Sequence, residues 1–196
     1  ALDDQRYNTV WEDVTWKTST IRSWLNGYGS SDNQQGTDYS GRNFIGSAFT
    51  SDEQSAIADT PVVNADNKSY GTEGGNDTVD KIFLLSESEV YGRSAEPYGF
   101  VPDWNRYDEA RRSKSSTYAK AMGVRYNTDD TYKDNCSWWL RSPGNSSKCA
   151  SFVNYNGYIY YWSDVNSKYV GVRAALNLNL SSSQWTYAGT VCSDGT

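Results

Sequence analysis

Apolar positions fall in short clusters separated by polar, turn-rich stretches, which predicts short elements. Residues 18–27 predict a helix: a Ser or Thr caps its start, Ile21, Trp24 and Leu25 share one face, and Gly27 ends it. Residues 29–41 are polar and Gly-rich, hence a loop. Residues 49–57 predict a second short helix, with Thr50 as cap and Glu53, three positions on, as its capping-box partner. Residues 66–77 carry turn residues throughout and predict a long exposed connection. Residues 81–85 are a compact apolar run, expected as a buried strand, after which Ser86 caps a short helix over 87–91. Helical patches with Ser-rich breaks follow over 104–122, then an acidic loop over 128–135.

Period-two patterning dominates the remainder. Residues 137–141 predict one strand. Residues 150–155 and 158–162 flank Asn156-Gly157, the strongest signal for a two-residue hairpin. Residues 170–180 predict another strand, because Ala175, Asn177 and Asn179 alternate with Leu176, Leu178 and Leu180 as in a half-buried strand. Short helices followed by a C-terminal antiparallel sheet with a hairpin make the class α+β. The length of 196 residues suits one domain over 1–196.

Composition narrows the function. The formal net charge is −6, and the nearest basic cluster, Arg106, Arg111, Arg112 and Lys114, stands beside Asp108 and Glu109. It reads as a solvated face, so a nucleic-acid partner is not expected. No apolar run approaches the roughly 20 residues that cross a bilayer, so direct membrane insertion is not expected. Aromatic content is 15% at a mean hydropathy of −0.77, which implies a core built on large rings and further aromatics on the surface. There are 3 cysteines, Cys136, Cys149 and Cys192, with no CxxC pair, and no histidine. A Cys/His zinc site is thereby nearly excluded. The odd count leaves a thiol free or paired outside the chain, and Cys136 and Cys149 are close enough in sequence to bridge.

Catalytic constellations find little purchase. A Ser-His-Asp or Cys-His set needs a histidine. Glu87, Glu89, Glu96 and Asp103 are the carboxylates available for glycoside chemistry, but surface charge and helix caps explain them as well. The Gly-rich run 71–75 precedes a strand instead of following one, unlike a phosphate loop. Asp129, Asp130 and Asp134 lack EF-hand spacing and a closing Glu, so a solvated loop is the simpler reading. No catalytic residue, metal or cofactor is expected, and the chain is not read as an enzyme.

Residues 142–173 differ from the rest. They hold Asn145, Ser146, Ser147, Asn154, Tyr155, Asn156, Tyr158, Tyr160, Tyr161, Trp162, Ser163, Asp164, Asn166, Ser167 and Tyr169. This is the composition of an antibody paratope: Tyr supplies contact area at low entropy cost, while Ser, Asn and Gly supply adaptable hydrogen bonds. Side chains alternate along a strand, so Tyr155, Tyr158, Tyr160 and Tyr161 cannot all point inward. These residues form the candidate ligand-binding surface. A protein is the favoured ligand, and a sugar ring stacked on Trp162, Tyr160 or Tyr161 is the second candidate.

Four landmarks then line up: residues 20–26 (TIRSWLN), 82–86 (IFLLS), 138–144 (WWLRSPG) and 171–176 (GVRAAL). Their order resembles a widespread bacterial and phage family of uncharacterised domains, itself similar to the formylglycine-generating-enzyme variant of the C-type lectin fold. Ala174 departs from the Pro usual there, and the resemblance implies that a strand or two precede Ala1. Some proteins of this kind are variable proteins of diversity-generating retroelements, rewritten at adenines in a C-terminal region. The resemblance implies that residues 142–173 are such a region. Trp138, Trp139, Arg141, Gly157, Gly171 and Arg173 would be its fixed framework, displayed outside a bacterial cell or on a virion. It leaves two alternatives: an enzyme of formylglycine-generating type, which needs a reactive Cys pair, or a structural module of a surface protein or tail fibre. Calcium-dependent lectins carry Glu-Pro-Asn or Gln-Pro-Asp. Glu96-Pro97-Tyr98 and Val101-Pro102-Asp103 only approach these, so calcium-mediated sugar binding is not expected.

Overall fold

A computed structural model describes residues 1–91, 98–100 and 109–183. Local capping signals set the helices. Helix α1 (Thr20–Asn26) starts at Ser19, whose hydroxyl accepts from the Arg22 N–H, and stops at Gly27 with φ 72°. Helix α2 (Phe44–Ala48) is capped by Asn43 and was not foreseen, because its five residues are too few for a period to show. Helices α3 (Ser51–Ala56) and α4 (Glu87–Val90) each begin with a full capping box, Thr50 with Glu53 and Ser86 with Glu89. Helix α5 (Thr117–Met122) runs from Ser116 to Gly123. None of the described helices is long and apolar enough to cross a membrane.

The strands form four small antiparallel sheets among the described residues. Strand β1 (Thr60–Val62) pairs with β2 (Thr78–Asp80), and β4 (Ser113–Lys114) with β5 (Asn135–Cys136). Strand β3 (Ile82–Leu84) pairs with β9 (Ala174–Leu176), joining the middle of the chain to its end. Strands β6 (Trp138–Pro143), β7 (Cys149–Val153) and β8 (Ile159–Asp164) form the three-stranded sheet. The chain is therefore mixed α+β. Its strands are not confined to the C-terminal part as expected, because strands of two or three polar residues carry no readable alternation.

Three further expectations are corrected. Residues 170–180 do not form one long strand: β9 ends at Leu176, Leu178 makes a single bridge to Ile57, and Leu178 and Leu180 are exposed. The partner strand β3 is only three residues long, so the ladder runs out. The hairpin loop has three residues, not two. Asn154 N–H donates to the Tyr158 carbonyl (2.7 Å), Gly157 N–H to the Asn154 carbonyl (2.9 Å), and Gly157 alone has positive φ, 87°. A two-residue type I′ turn needs positive φ at both central positions, and Asn156 does not supply it. Arg111 is fully buried instead of lying on a solvated face. Its guanidinium donates to the carbonyls of Gly157 (2.9 Å) and Val90 (3.2 Å), which replace water. Arg112 remains nearer the surface, paired with Glu109. Arg106, Glu96, Asp103 and Cys192, and most of both near-lectin triplets, lie outside the described residues.

The core gathers around Trp16, Trp138, Trp139, Leu140, Ile82 and Leu84. Strand β6 is buried on both faces over Trp138, Trp139 and Leu140, which explains that run of three apolar residues. The four sequence landmarks meet here. Asn26 at the end of α1 donates to the Ile82 carbonyl and accepts from the Ile82 N–H. Arg141 N–H donates to the Leu85 carbonyl, and Trp139 N–H to Gly171. Asp80, almost wholly buried, accepts from Trp16 Nε1, Arg22 Nε, Thr78 Oγ1 and Tyr28 Oη at 2.6–3.0 Å, so its charge is paired and its lone pairs are filled.

Candidate functional site

The β7–β8 hairpin positions the candidate surface. Directly paired residues share a sheet face, and Trp139, Phe152 and Tyr160 pair in register. On β6 this face is closed. Trp139 is fully buried, lies 5.8 Å from the Tyr7 ring in an edge-on contact, and donates to the Gln5 carbonyl (2.9 Å). The N-terminal segment thus covers β6 and leaves the β8 side of the same face more open.

Tyr158, Tyr160 and Trp162 lie together on that face by their ring contacts, and beyond Tyr160 the register of β8 against β7 shifts before the Ala150–Ser163 pair. Ring centroids step from Tyr158 to Tyr160 at 4.7 Å and from Tyr160 to Trp162 at 4.5 Å, with Phe152 at 5.6 Å from Tyr160 across the strands. The result is an aromatic ridge about 13 Å long from Tyr158 to Trp162 at the usual strand rise. Trp162 is 55% exposed, while Tyr158 and Tyr160 are half-buried. Beyond Trp162, Asp164 accepts from Trp11 Nε1 (3.2 Å), and the Lys148 ammonium sits 4.5 Å from the Trp11 ring. Trp11, 54% exposed, extends the ridge and was not foreseen. The available signal was a Trp in the polar run Trp11-Glu12-Asp13.

Other candidates lie in two depressions beside the ridge. The loop residues Asn145, Ser146 and Ser147 are exposed, and Ser147 Oγ donates to Asp13 (2.6 Å). Ser146 and Ser147 line an open groove of about 650 Å³ with residues 13–15, Thr18, Gln34 and 70–73. At the hairpin tip, Asn154 and Tyr155 line a cleft of about 440 Å³ with residues 125–129, Ser137, Tyr169 and Val170. Asn166 and Ser167 form the turn before Tyr169: Ser167 N–H donates to Asp164, and Tyr169 N–H to Ser167 Oγ. Tyr169 is left 61% exposed. Asn156 is spent on its own turn, accepting from the Tyr158 N–H.

Two candidates do not join this surface. Tyr161 points to the other side of β8, where its hydroxyl donates to Glu87 (2.8 Å) and its ring lies 5.5 Å from Tyr70. Burial and that carboxylate push the Tyr161 hydroxyl well above the usual tyrosine range. Ser163, beyond the register shift in β8, pairs with buried Ala150 and is half-buried.

Of the expected framework residues, Trp138, Trp139, Arg141, Gly157 and Gly171 are buried and Arg173 is half-buried. Trp138 is fully enclosed and Arg141 is 4% exposed. Arg141 makes a two-pronged ion pair with Glu89, through Nη1 to Oε2 (2.5 Å) and Nη2 to Oε1 (2.8 Å). Burial raises the Glu89 carboxyl, but Arg141 and the Ser86 donors outweigh it and hold the group below its usual range. Arg173 stacks on Trp138 at 4.9 Å. In the Trp-Trp-Leu-Arg-Ser-Pro-Gly landmark, Gly144 is required by close approach: a Cβ there would stand 2.3 Å from the Tyr161 carbonyl.

Glu87 and Glu89 are thus engaged by Tyr161 and Arg141, each with its own partner. Cys136 and Cys149 are both free; Cys136 is buried and donates to the Ser113 carbonyl, while Cys149 lies beside Asp164. Among the described residues no three His, Cys, Asp or Glu side chains are grouped to hold a metal ion. In the acidic loop, Asp134 is tied to Lys120.

No curated protein and no solved structure matches the chain. Residues 1–180 match a family described as Domain of unknown function (DUF6273), and that match spans most of the sequence. The chain belongs to the DUF6273 family.

Proposed function

We propose that this domain is a ligand-binding display module, with a C-type-lectin-like scaffold whose C-terminal surface is rewritten by a diversity-generating retroelement. The observation that carries the reading is the partition within residues 138–173. Trp138, Trp139 and Arg141 are sealed in the core, while Trp162, Asp164, Tyr169 and Asn145 to Ser147 reach solvent. Replaceable surface on a fixed frame is what variation without unfolding requires, since exposed substitutions usually shift stability by less than about 0.5 kcal/mol. A ridge of Tyr and Trp flanked by Asp, Ser and Asn suits a protein ligand, because rigid aromatic anchors give contact area at low entropy cost. On this reading the domain is displayed outside a bacterial cell or on a virion. The enzyme reading needs a reactive Cys pair, and here Cys136 and Cys149 sit in separate settings, one buried beside Ser113 and one beside Asp164.

The test is sequencing of the coding region for residues 138–173 across the source population. Changes concentrated at Asn145, Tyr160, Trp162, Asp164 and Tyr169, with Trp138, Trp139, Arg141 and Gly171 constant, are expected. A segment as constant as the rest of the chain would remove diversification and favour a fixed ligand or a structural module.

A further inference from the structure

The cleft at the hairpin tip has a character distinct from the aromatic ridge, and it is built from elements far apart in sequence. One wall is the loop 125–129, of which the sequence marked only the acidic end at Thr128 and Asp129. The other is the hairpin tip with Tyr169. Hydrogen bonds tie the walls and floor together. Arg125 N–H donates to the Tyr169 carbonyl (3.4 Å), Asn127 N–H to the Asn135 carbonyl (2.7 Å), Asn135 Nδ2 to the Tyr155 carbonyl (3.1 Å), and Ser137 Oγ to Asn154 Oδ1 (2.9 Å). The Tyr155 ring is braced edge-on by Tyr132 at 5.5 Å, and the Tyr126 ring by the Lys120 ammonium at 4.6 Å.

These restraints leave donors and acceptors facing the opening. Asn154 and Asn127 each use the side-chain oxygen internally, for Ser137 and for the Asp129 N–H, so each amide NH₂ is left to donate. The Arg125 guanidinium and the Asp129 carboxylate have no side-chain partner among the described residues. One cation and one anion with two amides make a mixed set, unsuited to a polyanion, whose capture needs clustered positive charge. The faces of Tyr155 and Tyr169 offer flat apolar platforms. Three donors and one carboxylate acceptor beside aromatic platforms match a ring with polar hydroxyls at its rim and C–H groups on its face. The volume of about 440 Å³ falls in the range of small-ligand sites.

We infer that this cleft binds a short neutral oligosaccharide, with Tyr155 and Tyr169 stacking on sugar faces and Arg125, Asn127, Asp129 and Asn154 holding hydroxyls. The inference goes beyond the display reading and does not need diversification, although Asn154, Tyr155 and Tyr169 belong to both surfaces.

The experiment uses the full chain on an array of immobilised short neutral oligosaccharides of hexoses and N-acetylhexosamines, beside sialylated and sulfated ones. Calorimetry with the best-bound glycan in soluble form follows. Binding of a neutral class is expected, weakened at least about tenfold in Asn127→Ala and in Asp129→Ala. Both sit on a loop outside the core, so their folding is checked by an unchanged melting temperature, and Tyr169→Ala, which removes an exposed platform, should weaken binding to a similar degree. Val79→Ala, exposed on β2, should bind as the parent does. Absence of neutral glycan binding, binding only to sialylated or sulfated glycans, or binding lost in Trp162→Ala but kept in Asn127→Ala would each overturn the inference. A constant sequence across the population would sink diversification and leave this result untouched.

Discussion

Glu89→Gln isolates the ion pair that anchors the framework. Arg141 is 4% exposed. Its guanidinium donates to the Val63 carbonyl (3.1 Å), the Leu84 carbonyl (2.8 Å) and both oxygens of Glu89. Its own carbonyl accepts from Tyr7 Oη (2.9 Å). Through one side chain β6 is thus held to β3, to the residue after β1 and to the start of α4. Glutamine keeps the shape and one acceptor but leaves the guanidinium charge uncompensated. Removing one partner of a buried pair costs about 3–5 kcal/mol, and the retained acceptor places this case near 3. For a domain of this size that lowers Tm by about 6–12 °C. Thermal and urea unfolding at pH 7 measure it.

The pH dependence adds a second check. The folded Glu89 carboxyl is held below its usual range. Its stabilisation is therefore complete above the ordinary glutamate range and is lost as pH falls through the depressed value. The gap between the parent and Glu89→Gln should be constant near neutrality and close in acid. A gap under about 1 kcal/mol at pH 7, or one that widens in acid, would refute the pair's role as an anchor.

Two further substitutions have signs fixed by the structure. Burial, then the neighbouring Asp3 charge, raises the Asp4 carboxyl to about 6, and its Oδ1 is buried without a partner. A raised folded value means stability present at low pH and lost as pH rises through about 6. Asp4→Asn should therefore be more stable than the parent at pH 8, by about 1 kcal/mol once solvent screening of this partly exposed group is allowed for, with no advantage at pH 3. Gly157→Ala places a side chain at φ 87° in the hairpin turn, so it should cost about 1–2 kcal/mol in urea unfolding. A neutral result would mean that the turn can relax.

The features legible in the sequence were those whose cause is local. Thr50 with Glu53 and Ser86 with Glu89 declare helix starts because both partners lie within one turn. The hairpin was legible at Asn156-Gly157, but its loop length was not, because the register is set by β7 and β8 together. Arg111 read as a surface charge since nothing nearby reveals that the carbonyls of Val90 and Gly157 would enclose it. Leu178 and Leu180 read as a buried face because alternation says nothing about the length of the partner strand. Within the candidate site, alternation showed that Tyr155, Tyr158, Tyr160 and Tyr161 could not all point inward. It could not say that Tyr161 would be held by Glu87, a contact across 74 residues. The role of the cleft loop 125–129 was missed for the same reason, since it depends on Tyr169 and Asn154 arriving opposite it.

The most direct measurement of a fixed frame under a replaceable surface is a saturation mutagenesis scan of residues 138–173, read by surface display of folded chains. Most substitutions at Asn145, Ser147, Trp162, Asp164 and Tyr169 should keep display near the parent level, while most at Trp138, Trp139, Arg141 and Gly171 should abolish it. Equal intolerance at both sets would contradict the partition and make the Tyr-rich hairpin part of the structural core.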